Sequence, residues 1–328
     1  MFESLPGAVG SPPEHYGNPL PEQKAILSGA LVSLPSSVIT LTGPDRLSWL
    51  DSLTSQSLKN LAPGESAETL LLDPSGRLEH AIHVVDDGTV SYLIASDGPG
   101  LYAFLSRMVF MLRVEVVLTD LRVVGSFGSL DALATWEDPW EAGPGHTYAV
   151  SRPDAPWNYR EHVVAPDFSW DGPVAGTLAL EALRIAAWRP AQQDADDRTI
   201  PHELDWLRSA VHLTKGCYRG QETVAKVHNL GHPPRRVVLL HLDGSVPAAG
   251  SAVLAGDVQV GAVTSSALHW ELGPIALAVI KRSVDPAVDL VVQTDDGPVA
   301  AAQEVIVPTD AGATANVPRL PRLGAVRR

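Results

Sequence analysis

The chain has 328 residues, 24 Lys and Arg against 38 Asp and Glu, a net charge of −14 and a single cysteine. At roughly 100–200 residues per domain, that length predicts two or three cores. One cysteine excludes an internal disulfide framework and a multi-cysteine metal cage, and the acidic balance argues against nucleic acid as the main partner. A hydrophobic share of 45% with 19% charged residues excludes general disorder. No basic and apolar leader opens the sequence, and the longest apolar runs, such as 272–280, fall far short of a membrane span. The expectation is a cytoplasmic chain with no membrane or nucleic-acid partner and no resident metal.

Residues 1–22, rich in Pro and Gly, read as an irregular arm. From Ala25, the runs AILSGALVSLP and SSVITLTG have the apolar, β-branched character of strands. Residues 43–61 read as a helix, with Pro44 and Asp45 in its first turn and Leu47, Leu50, Leu53 and Leu58 near helical spacing. Three antiparallel strands follow over 67–96, joined by turns at Asp73–Gly76 and Asp86–Gly88. An apolar helix is predicted over 101–112 and a strand from Val114, whereas 125–160 shows no clear periodicity. The stretch TLALEALRIAAWRP (177–190) is a helix stopped by Pro190, and a polar loop leads on from it. Beyond Pro233-Pro234, short strands separated by Asp-Gly and Gly-Asp turns predict a small all-β barrel. The predicted division is an arm (1–22), an α+β region of two interwoven lobes (23–232), a β-barrel (233–310) and a basic tail (311–328).

The acidity is uneven. Residues 215–236 hold Lys215, Arg219, Lys226, Arg235 and Arg236 against Glu222 alone, and the lone Cys217 lies among them. Dinucleotide, phosphate-loop, zincin and α/β-hydrolase motifs are all missing; where His202-Glu203 begins a zinc pattern, Trp206 takes the place of the second His. What remains is Lys215-Gly216-Cys217-Tyr218-Arg219-Gly220-Gln221-Glu222. Two glycines four apart let the backbone turn tightly, and Gln221 and Glu222 could open a helix running through Lys226. Positive neighbours and a helix start would favour the Cys217 thiolate and suit an anionic ligand tail. A buried structural cysteine is the alternative.

The run KGCYRGQE resembles the signature of the YgfZ family of folate-binding proteins, relatives of the glycine-cleavage T-protein GcvT. The segment from LTGPDRLSWL, the helix LEALRIAAWRP with IPHE, and the barrel with its Gly-x-Val-Thr-Ser turn at 261–265 are similar too. The resemblance implies an α+β, three-lobed cloverleaf with a C-terminal barrel around a channel that holds tetrahydrofolate. It also implies support for the assembly or repair of iron–sulfur enzymes, with an iron–sulfur client or assembly protein as partner and Cys217 as the functional thiol. Arg184, Lys215, Gly216, Tyr218, Gly220, Gln221, Glu222 and Lys226 become candidate folate contacts. The sequence departs from T-proteins at two carboxylates: Glu79-His80 stands where they carry an Asp pair, and Ala186 where they carry a folate-contacting Glu. Glu79 and His80 are therefore candidate replacement acid/base groups, of which strand alternation admits only one to the channel. Folate-dependent aminomethyl transfer and a non-catalytic folate-fold adaptor are the alternative functions. Trp136, Trp140, Trp157 and Trp170 either pack the irregular middle or stack a pterin ring, and Arg235 and Arg236 are either interdomain ion-pair donors or ligand contacts.

Overall fold

A computed structural model describes residues 2–149, 155 and 157–315. The arm turns irregularly as far as Asn18, whose side chain accepts the Leu20 N–H and starts helix α1 (Pro19–Leu27). Proline in the first turn and an Asn cap outweigh the short apolar run at Ala25–Leu27, which ends this helix instead of opening a strand. Strands β1 (Leu31–Ser33) and β2 (Ser37–Thr42) follow. Helix α2 (Arg46–Leu53) is shorter than 43–61, because Ser55 leaves the helix axis to bond Leu70 and Ala210. The three expected strands form as β3 (Ser66–Leu72), β4 (Leu78–Asp86) and β5 (Val90–Ala95). Helix α3 (Gly98–Met108) begins and ends early: Asp97 caps Gly100, and Phe110 adopts a φ of 46°.

The strand expected from Val114 forms as two, β6 (Glu115–Leu118) and β7 (Arg122–Ser126); the stretch without clear periodicity holds β8 (Ala134–Glu137) and leads into β9 (Arg160–Val164), and β10 (Val174–Ala175) follows. Helices α4 (Thr177–Ala186) and α5 (Gln221–Leu230) precede the barrel. Its strands are β11 (Arg235–Asp243), β12 (Ala252–Ala255), β13 (Val258–His269), β14 (Gly273–Lys281), β15 (Leu290–Thr294) and β16 (Gly297–Val305).

These elements make an α+β fold. One antiparallel sheet runs β3-β4-β5-β2-β6, a second runs β10-β1-β7-β9-β8, and the barrel closes in the order β11-β14-β13-β12-β15-β16. The first sheet buries Ile39, Leu41, Ile82 and Val84 against Trp49 and Leu50 of α2 and Leu101 and Leu105 of α3. Helix α4 stands at the junction of the three bodies. Its Ala182, Ile185 and Ala186 pack with Leu70 of the first sheet and Leu277 of the barrel, while Ala179 and Leu183 join the core of the second sheet. Small residues on this helix allow the close approach that two neighbouring cores require.

The 261–265 segment, expected as a turn, lies within β13, whose pairing with β14 shifts register between Val263 and Ser265. The bulge turns the hydroxyls of Thr264 and Ser265 onto Asp194, at 2.7 and 2.5 Å. Arg235 bridges the bodies by ion pairs to Asp196 and Glu203 at 2.6 and 2.7 Å, and Arg236 is buried beside Gln303 and Val284. Residues 311–315, expected to open the basic tail, bond the end of α5 through Ala313, Thr314 and Ala315; the rest of that tail lies outside the described residues. Among the described residues no helix is long and apolar enough to cross a membrane.

Candidate functional site

The octapeptide forms a tight loop against the β3–β4 hairpin. Gly220 has a φ of 83°, and a side chain there would strike the Asp73 carbonyl and Gly76, so the loop and the hairpin turn meet backbone to backbone. The Lys215 ammonium donates to the carbonyls of Asp51, Thr54 and Gln56 at 2.5–2.8 Å, closing the end of α2. Burial pushes its pKa down, with Asp51 opposing. Arg219 forms a two-pronged ion pair with Glu79, at 2.6 and 3.1 Å. Tyr218 is buried in the central core, where desolvation raises its hydroxyl pKa to about 12. Gln221 donates to the Lys215 carbonyl, and Glu222 and Lys226 lie on α5. Cys217 is exposed, not buried.

A cavity of 480 Å³ lies elsewhere, between the first sheet, the second sheet and α4. Of the candidate residues Arg184 and Trp157 line it; neither Glu79, His80 nor any residue of the octapeptide does. Glu79 is drawn to Arg219 at the end of β4, and His80 sits where burial lowers its pKa against the opposing pull of Asp97 and Glu79. The next residues that share the Glu79 side of β4, Ala81 and His83, reach the cavity instead. Arg184 is fully committed: it pairs with Glu181 and Asp194 and bonds Ser265 and the Arg189 carbonyl. Burial works against its charge, but Asp194 and Glu181 more than offset this and raise its pKa. Arg184 therefore ties α4 to the barrel and shapes the cavity wall.

The cavity wall brings together Glu68, His83, Asp138, Glu161, Glu181, Arg184 and Arg189, with Trp157 and Tyr159. Its carboxylates, with Glu14 included, number five against two guanidiniums. The imidazole of His83 stacks on Trp136 at 3.7 Å, with the ring planes within 3°. Its Nδ1 lies 2.8 Å from Glu161 Oε2, and its Nε2 lies 4.0 Å from Glu68 Oε1. Desolvation lowers the His83 pKa, but Glu161 and Glu68 outweigh it, so the net direction is upward. Glu68 accepts from Arg189, Trp206 and Ser209. Burial alone would raise its pKa; Arg189, His83 and Ser209 hold it below the usual carboxylate value. Asp138 accepts from Arg189 and the Trp157 indole, yet burial, with Glu68 adding to it, pushes its pKa up.

His83, Glu68 and Glu161 were missed by sequence reasoning. Alternation along β4 could have placed His83 with Ala81, but Glu161 lies just past the stretch that lacks periodicity, in a strand that was not predicted. Of the four tryptophans, Trp136 and Trp140 are buried packing residues, Trp157 is mostly buried but contributes to the cavity wall, and Trp170 bonds the nearby Pro173 carbonyl.

No protein-family model matches the chain. An aminomethyltransferase of Nostoc sp. is 28% identical over 296 residues, spanning 74% of this chain and 73% of that protein. A mitochondrial iron–sulfur cluster assembly factor IBA57 homolog of Mycosarcoma maydis is 27% identical over 238 residues, 65% of this chain and 57% of that protein. In structure, the glycine cleavage system aminomethyltransferase T from Bartonella henselae superposes with a TM-score of 0.74 at 17% identity, over 94% of this chain and 96% of that one. That likeness establishes the same three-body fold. The chain thus shares that fold end to end and is similar in sequence to proteins of both the aminomethyltransferase and the IBA57 kind, the resemblance expected of a GcvT/YgfZ-type chain.

Proposed function

We propose that the chain binds a tetrahydrofolate-type ligand in the 480 Å³ cavity and supports iron–sulfur enzymes in the cytoplasm, with Cys217 as its functional surface thiol. The hydrogen-bond acceptors of the cavity carry this reading. A reduced pterin has an edge rich in N–H donors, and Glu161 and Glu181 offer acceptors beside an aromatic wall of Trp157 and Tyr159. Bound folate would supply a carrier for a one-carbon unit. The chain's own residues would orient the ring and keep water from it. The excess of carboxylates suits the ring and not the anionic tail. Lys215 and Arg219, once candidates for that tail, are engaged with the α2 carbonyls and Glu79.

The IBA57 relative supports the iron–sulfur part of the reading. The chain's one thiol cannot hold a cluster that usually needs four, so Cys217 acts in a contact shared with a client or assembly protein. Its exposure leaves it open to such a partner. Complementation tests this. In a strain lacking the gene, the wild-type chain should restore cluster-dependent enzyme activity, and Cys217→Ser should restore less than about a tenth of it. Full rescue by the serine variant overturns the role of the thiol.

A further inference from the structure

The octapeptide does not reach the cavity, and the groups that replace the T-protein carboxylates in sequence do not reach it either. The cavity nevertheless holds an imidazole mounted for proton transfer. Trp136 fixes the plane of the His83 ring, and Glu161 accepts from Nδ1 at 2.8 Å, which sets the tautomer. Nε2 then carries the lone pair. At 4.0 Å from Glu68 it is beyond hydrogen-bond reach, and the side chain keeps 22% of its surface exposed. A carboxylate on one nitrogen with the other left for a ligand is the arrangement of a general base and its orienting group.

We infer that His83 is the group through which this cavity exchanges a proton with its ligand, a nitrogen heterocycle held against Trp157 and Tyr159. The inference rests on the folate reading for the ligand class. The step balances without a further reactant. Nε2 takes the proton from a ring N–H, the electron pair of that bond stays on the ligand nitrogen, and Glu161 stabilises the imidazolium. The reverse step returns the proton. No electron is gained or lost.

The groups facing His83 are Glu161 on β9, with Tyr159 just before that strand, Glu68 on β3, and Arg189 after α4. Asp138 lies behind them, on the far side of Arg189. The two carboxylates next to the ring favour its charged form and Arg189 opposes it, so the imidazole titrates above its ordinary range.

The test combines calorimetry and NMR on the full chain. Tetrahydrofolate binding, measured under anaerobic conditions in buffers of different ionisation heat, should exchange a measurable fraction of a proton in wild type. In His83→Gln, whose amide can still donate to Glu161, the exchange should fall below about a fifth of that value. An unchanged proton count in His83→Gln, or none in wild type, overturns the inference. If tetrahydrofolate does not bind, the folate reading fails, and the free chain decides the rest. The His83 imidazole resonance, assigned by its loss in His83→Gln, should titrate above pH 6.5 and shift to lower pH in Glu161→Gln. A resonance that does not titrate, or that ignores Glu161→Gln, overturns it.

Discussion

His202 is wholly buried and faces the imidazoles of His228 and His146 beside the Val224 backbone of α5. Desolvation and the two neighbouring rings push its pKa down to about 3, against a smaller opposing contribution from Val224. The folded chain thus holds it neutral while the unfolded chain protonates it below about pH 6.5. Its contribution to stability is present above that pH and is lost progressively as pH falls toward 3. Urea unfolding should show a loss of about 2 kcal/mol from this group between pH 7 and pH 5, and His202→Leu should flatten that part of the profile. His83 runs the opposite way: its raised pKa adds stability at low pH that is lost as pH rises through its folded value. The contrast shows what was legible at this scale. The octapeptide and its charges stood out in the sequence, but a side chain's type does not disclose its partner. Lys215 and Arg219 read as ligand charges until three carbonyls and Glu79 were found in contact with them. His83 read as an ordinary strand residue because its two carboxylates lie 78 and 15 positions away along the chain.

Helix α4 could be read directly from its run of good helix formers, but it ends at Ala186, short of Pro190, because Trp188 takes a φ of 61°. Its start at Thr177 could be read too, but not what secures it. Gly176 provides no side-chain cap, and the first turn is completed by the arm instead, with the carbonyls of Pro13 and Glu14 accepting from Thr177 and Leu178. A methyl group at Gly176 would collide with the backbone of Glu14 and His15. Gly176→Ala should therefore cost about 2–3 kcal/mol, read as a fall in the denaturant midpoint. An unchanged midpoint would mean that the arm does not clasp the helix. The bulge in β13 was equally hidden. Gly-x-Val-Thr-Ser has turn chemistry, yet pairing with β14 keeps it in a strand and uses the irregularity to aim two hydroxyls at Asp194.

Across the whole molecule, the barrel and the α+β character were readable from patterning, and the meeting of three bodies was not, because it depends on which buried faces choose one another. The cavity is a product of that meeting: Pro12 and Glu14 of the arm, Glu68 and His83 of the first sheet, Glu161 of the second, and Arg184 of α4 all line it. A ligand held there binds the folded state alone, so tetrahydrofolate at about 100 times its dissociation constant should stabilise the chain by about 2.7 kcal/mol. Thermal unfolding should show a rise of several degrees that Ala81→Trp, which fills the cavity, removes. The clasp between the arm and α4 also bears on how the protein is born. Residues 13 and 14 leave the ribosome early, but their partners at 177 and 178 come more than 160 positions later. At roughly 5–20 residues per second, the arm waits on the order of 8–35 s before its carbonyls can meet those amides. During that interval the nascent chain has no closed cavity, so the ligand joins as a late step, after translation has delivered α4.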